Sequence, residues 1–143
     1  MTVSNPNRKI MKDVQIYDIY ADAEKDIEGL IAQAKVEKKN IMIQAGGNWC
    51  IWCIRFTEFL NNSMELKEII DKNYIYYHLN FSPENEKIFS RYDNPDYFGF
   101  PVIIILNENG EKIHIQRTDV LEQNDGYNRE MVMKFLMSWI KYS

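Results

Sequence analysis

Cys50 and Cys53 are the only cysteines among 143 residues, and they stand three apart in the run Trp49-Cys50-Ile51-Trp52-Cys53. Before them, Asn40-Ile41-Met42-Ile43-Gln44-Ala45 is an apolar run with the character of a buried strand, and Gly46-Gly47-Asn48 makes a turn. After them, Ile54-Arg55-Phe56-Thr57-Glu58-Phe59-Leu60 reads as a helix. The thiols therefore lie at a strand-to-helix junction. A thiol in the first turn of a helix meets unpaired backbone N–H groups and the positive end of the helix dipole, and both favour thiolate over thiol. Residues three apart on a helix are spatial neighbours, so the second sulfur reaches the first and can close a short disulfide. The spacing predicts a pair that cycles between dithiol and disulfide.

Two other uses of such a pair compete. A structural bridge closing so short a loop constrains little of the unfolded chain. A zinc site needs two further ligands, and only His78 and His114 are on offer, at a spacing unlike common zinc fingers. A surface metal chelate made by Cys50 and Cys53 alone is the weaker variant of that idea. The reading is therefore redox, with no metal and no bound cofactor.

The elements that must hold these thiols follow from pattern and punctuation. Residues 1–12 are polar and read as a flexible arm ahead of one domain over 13–143. Residues 13–20 alternate polar and apolar at period two, which predicts a strand or extended edge segment. Asp22 stands where a helix N-cap would, and Ile27, Leu30, Ile31 and Ala34 follow at helical spacing, predicting a helix over 23–38. The strand at 40–45 is apolar on both faces apart from Gln44, the mark of a central strand covered on both sides.

The helix after Cys53 runs to about residue 61, and Asn62 with Glu65 resembles a capping box for a short helix through 70. Residues 74–81 are aromatic and β-branched, a strand; Ser82-Pro83-Glu84 opens a helix over 83–92. A loop over 93–100, with its acidic patch Asp93-Asn94-Pro95-Asp96 read as solvated, leads to Pro101-Val102-Ile103-Ile104-Ile105-Leu106, again apolar on both faces. A glycine turn at 107–110 joins this strand to the alternating segment 111–118 as a hairpin. After a loop over 119–127, Met131, Val132, Phe135, Leu136, Trp139 and Ile140 line one face of a C-terminal helix. Helices between strands imply parallel pairing and the closing hairpin adds antiparallel strands, so the fold class is α/β with a mixed central sheet flanked by helices, extended by an N-terminal β-α unit.

Composition narrows the partners. With 45% hydrophobic and 27% charged residues the chain has the make-up of a globular domain able to bury a core. A net charge of −4 with no basic stripe argues against a nucleic-acid partner. No apolar stretch approaches about 18 residues, so membrane insertion is not expected. The first nine residues lack the apolar core of a signal peptide, leaving two compartments open: cytoplasmic, or periplasmic and envelope-associated if an export segment was removed. A monomer is expected.

The element order, with Trp-Cys-x-x-Cys after the second strand and Gly99-Phe100-Pro101 before the hairpin, resembles the thioredoxin superfamily over roughly residues 13–142. The Gly-Gly-Asn-Trp-Cys-x-Trp-Cys wording is most similar to envelope-type thioredoxin-like proteins, a group that includes disulfide reductases and isomerases. The resemblance implies that Cys50 is the exposed nucleophile and Cys53 the buried resolving thiol. It implies a cis Phe100–Pro101 bond beside the cysteines, with client chain pairing along Phe100 as an added strand. Trp49, Ile51, Trp52 and Phe100 would form an apolar collar around the sulfur. Partners would be disulfide-containing proteins and a thiol protein that supplies electrons.

Departures from the family pattern are as informative. Ile51-Trp52 stands where thioredoxins carry Gly-Pro, so a strongly reducing potential does not follow. The buried aspartate that the family places six residues before the first cysteine is Gln44 here, and its accompanying lysine falls on His78. A Gln–His pair would replace an Asp–Lys pair. His78 reads first as a strand histidine satisfied by a neighbour; the alternative is proton transfer to or from Cys53. For function as a whole, the alternative to disulfide exchange is a redox-poor binding module with a chaperone-like docking surface.

Overall fold

The computed structural model describes residues 15–142, so the arm expected over 1–12 lies outside the described residues. Its centre is a four-stranded sheet in the order β2-β1-β3-β4. Strand β1 (Asn40–Gly46) runs parallel to β2 (Tyr74–Asn80) and antiparallel to β3 (Val102–Leu106), which forms an antiparallel hairpin with β4 (Lys112–Arg117). Every residue of β1 and of β3 is buried, as expected for strands covered on both faces.

Alternation along β1 divides the core. Ile41, Ile43 and Ala45 face a layer built from α1 (Ala23–Glu37) and α4 (Glu86–Arg91). Met42 faces the opposite layer, built from α2 (Ile51–Asn61), α3 (Met64–Asn73) and α5 (Arg129–Ser138). Gln44 shares the Met42 side and so looks toward α2, the helix that carries the cysteines.

Local chemistry starts the helices. The Asp22 carboxylate accepts the Lys25 N–H at the head of α1, and the Asn128 side chain does the same for Met131 in α5. At α3 the cap is Ser63 rather than the expected Asn62: its hydroxyl accepts the Leu66 N–H at 3.2 Å, and the helix runs on to Asn73. The helix expected over 83–92 begins as a 3₁₀ turn, Pro83–Asn85, before α4. The 93–100 loop contains a second 3₁₀ turn, Pro95–Phe98; Pro95 is buried and Asp96 half-buried, while Asp93 and Asn94 stay in solvent as expected. The loop over 119–127 is also ordered, with a 3₁₀ turn at Asp119–Leu121 and a small hairpin of β5 (Glu122–Gln123) with β6 (Gly126–Tyr127). In α5 the buried residues are Val132, Phe135 and Leu136, whereas Met131, expected on that face, is exposed.

The N-terminal strand expected over 13–20 does not form in its described part. Residues 15–22 are irregular, and the period-two pattern arises from a single plug: Tyr17 is fully buried while Ile19 and Tyr20 lie in solvent. The Tyr17 backbone pairs with a side chain instead of a strand. Its N–H donates to Asn48 Oδ1 and its carbonyl accepts from Asn48 Nδ2, both at 2.8 Å.

Candidate active site

The Gly46-Gly47-Asn48 turn hands the chain from β1 to α2. The Cys50 N–H closes the turn on the Gly47 carbonyl at 3.1 Å, and Cys50 then takes the N-cap position in extended geometry, φ −99° and ψ 107°. Its sulfur occupies the place usually held by a serine or aspartate oxygen at a cap, accepting the Cys53 N–H at 3.1 Å. Its carbonyl accepts the Ile54 N–H at 3.1 Å and begins the helix. Both cysteines are free thiols.

This geometry separates the two sulfurs chemically. The Cys50 thiol is drawn down to about 7, first because the Cys53 side chain donates to it, then through the backbone N–H groups of Cys53 and Trp52, all working against burial. The Cys53 thiol is pushed well above its ordinary range, first by giving its hydrogen bond to Cys50 and then by burial. Cys53 is 0% exposed and Cys50 8%. Cys50 is thus more enclosed than expected of an exposed nucleophile. Ile16, Trp52 and Phe100 pack against the cluster of Tyr17, Cys50 and Cys53 and leave little of Cys50 open.

Behind Cys53 lies a buried polar network. Gln44 Nε2 faces Tyr17 Oη at 3.0 Å, Thr57 Oγ1 at 3.1 Å and the Cys53 carbonyl at 3.4 Å, while its Oε1 accepts the Tyr76 hydroxyl. Gln44 and His78 are register partners across β1 and β2, but they are joined through Thr57, whose Oγ1 lies 3.2 Å from His78 Nε2. The His78 ring is therefore satisfied by a neighbour, and its Nε2 is taken up by Thr57 rather than by a sulfur. Burial pulls its pKa down to about 4, so it is neutral near pH 7. Burial also pushes the Tyr17 and Tyr76 phenols above their ordinary values.

Gly46 lets the sulfur and the phenol approach. A Cβ built there would lie 2.3 Å from Cys53 Sγ and 2.8 Å from Tyr17 Oη. Only a residue without a side chain fits.

The collar residues divide into two groups. Trp49 is 63% exposed and packs edge-on against Phe100, with ring centroids 5.4 Å apart; Ile51 is also exposed. Trp52 turns inward, packed against Tyr127 and covered by the Arg55 guanidinium. Its carbonyl accepts the Tyr127 hydroxyl at 3.1 Å. The Phe100–Pro101 peptide bond is cis, Pro101 is buried, and its carbonyl accepts the Thr118 hydroxyl. Phe81, from the end of β2, extends the aromatic surface, 4.8 Å from Phe100 between centroids. Among the described residues no group of three or more His, Cys, Asp or Glu side chains is arranged to hold a metal ion.

A family model described as thioredoxin-like matches residues 22–108, more than half of the chain. The chain belongs to the thioredoxin-like family. Solved structures agree with this at the level of fold. A disulphide isomerase from Xylella fastidiosa Temecula1 superposes with a TM-score of 0.74 at 19% identity, over 86% of this chain and 95% of that one. The C-terminal domain of DsbD from Neisseria meningitidis, in its oxidised form, gives 0.59 at 14% identity over 84% and 98%. A thioredoxin from Thermus thermophilus gives 0.58 at 15% identity over 78% and 81%. No curated protein sequence matches.

In this thioredoxin-like site the sequence motif located both cysteines, the tryptophans and the Phe100–Pro101 edge, and the structure brings them together. Sequence reasoning missed Tyr17, Asn48, Thr57, Tyr76 and Phe81. Asn48 carried a signal: an asparagine between a glycine pair and the Trp-Cys motif is a natural bridge to a neighbouring backbone. Tyr17 carried only its place in an alternating pattern, which pointed to a strand.

Proposed function

We propose that the chain is a thiol–disulfide oxidoreductase acting on protein disulfides. The observation that carries this is the asymmetry of the pair: Cys50 at the helix cap, activated and 8% exposed, and Cys53 fully enclosed beside it. The Cys50 thiolate attacks one sulfur of a client disulfide, forming a mixed disulfide and expelling the other client sulfur as a thiolate that takes up a proton. Cys53 then attacks the Cys50 sulfur, closing the Cys50–Cys53 bond and releasing the second client thiol. Electrons return from a partner thiol protein. No cofactor takes part in either exchange.

Client chain would lie along the backbone of Phe100 beside Pro101, as an added strand. Trp49, Ile51, Phe100 and Phe81 would give it an apolar bed. Membership of the thioredoxin-like family supports this reading. That same exposed bed is what favours the second reading, a docking module in which the cysteines turn over poorly.

Reduction of insulin by dithiothreitol separates the two. A rate well above that of the Cys50→Ser, Cys53→Ser double variant is expected, and equal rates would overturn exchange in favour of docking. Equilibration of the pair in glutathione buffers then assigns direction: a potential near that of thioredoxin marks a reductase, a higher one an oxidase or isomerase.

A further inference from the structure

We infer that the Tyr17 hydroxyl is a hydrogen-bond donor that stabilises the Cys53 sulfur as it becomes the attacking thiolate, with Gln44 fixing the direction in which that hydroxyl points. The inference rests on the exchange reading above and assigns a role in its second step to a residue from outside the sheet.

The Gln44 amide can be oriented from its neighbours. The Cys53 carbonyl is only an acceptor, so the group facing it at 3.4 Å is the amide nitrogen. The same nitrogen faces Tyr17 Oη at 3.0 Å, so the phenol oxygen receives a hydrogen bond there. Its own proton must point elsewhere. The side-chain atoms flanking the gap above Gly46 are Cys53 Sγ and Tyr17 Oη themselves. The Cys53 sulfur borders the same space as that hydroxyl and is the acceptor the inference assigns to the Tyr17 proton. The titration behaviour has the matching signs: the Gly47 backbone N–H and then the Tyr17 hydroxyl favour the Cys53 thiolate, and contact with Cys53 holds the Tyr17 proton on.

Among the described residues, no carboxylate acts on Cys53 to take its proton. The titratable groups turned toward it are Cys50, Tyr17, Tyr76, Tyr127 and, through Thr57, His78. The three phenols keep their protons and the imidazole is neutral near pH 7. In resolution the Cys53–Cys50 sulfur bond forms, the Cys50–client bond breaks, and the Cys53 proton ends on the departing client sulfur. Tyr17 keeps its own proton throughout. It lowers the energy of the buried thiolate by donation, a different device from a carboxylate base.

The test is Tyr17→Phe in the full chain, which keeps the ring and removes only the hydroxyl. Resolution of a preformed Cys50–peptide mixed disulfide is followed in single turnover from acid to alkaline pH. Cys53 titration is followed by thiolate absorbance in a Cys50→Ser background, and alkylation of Cys50 by iodoacetamide in a Cys53→Ser background. The expected result is resolution slowed roughly tenfold, the scale of one lost hydrogen bond to a charged group. The Cys53 midpoint should move to higher pH and Cys50 alkylation should stay the same. Unchanged resolution, or an equal loss in Cys50 alkylation that marks mere packing, would overturn the inference while exchange stands. A wild-type chain that never resolves the mixed disulfide overturns both.

Discussion

The backbone N–H of Cys53 points at the Cys50 sulfur across 3.1 Å, so the first cysteine caps the helix and the second activates the first. With Cys50 drawn down to about 7, its alkylation rate should rise roughly tenfold per pH unit below that value and level off above it. Cys53→Ser changes the side-chain donor and should shift the midpoint, which iodoacetamide kinetics against pH will show. The same shift has a stability consequence. Between about pH 7 and the ordinary value of 9.0 the folded state has released a proton that the unfolded state keeps, so the reduced protein gains stability as pH rises through that window.

His78 works in a more acidic window. Its folded value of about 4 lies below its ordinary 6.5, so between those values the unfolded state is the one that binds the proton. Stability is full above about pH 6.5 and falls as the solution is acidified toward 4, by on the order of 3 kcal/mol. Urea unfolding across that range should be flatter, by the share of one proton, in His78→Gln.

Gly46→Ala should cost about 1–3 kcal/mol, because the added methyl collides with both Cys53 Sγ and Tyr17 Oη and neither is the loose end of a flexible chain. Thermal unfolding measures the loss. Mixed-disulfide resolution should also fall more than Cys50 alkylation, since the clash lies on the Cys53 side.

Trp49→Ala should change stability by less than about 1 kcal/mol, because the ring is largely in solvent and rests on Phe100 and the Gly47 side of the turn. Insulin reduction should slow severalfold all the same. Retained activity would remove Trp49 from the client bed.

The sequence was most legible where structure is local. Asp22 caps α1 as its position promised, and the doubly buried strands β1 and β3 follow from unbroken apolar runs. Ser63 displaced Asn62 as a cap because both are good caps one residue apart, and pattern alone does not choose between adjacent candidates. Tyr17 was illegible for a deeper reason. Alternation reports which side chains are buried, not what buries them, and here the partner is the back of the redox site rather than a neighbouring strand. The Gln44–His78 relation was half legible: sheet register places the two side by side, but the intervening Thr57 comes from a helix on another layer.

One amide side chain ties the segment preceding α1 to the cysteine turn, since Asn48 grips the Tyr17 backbone at both its N–H and its carbonyl. Together with the buried Tyr17 ring, that clasp makes the segment ahead of α1 and the loop that aims Cys50 one piece. Asn48→Ala would leave the Tyr17 ring to hold that piece against the redox couple.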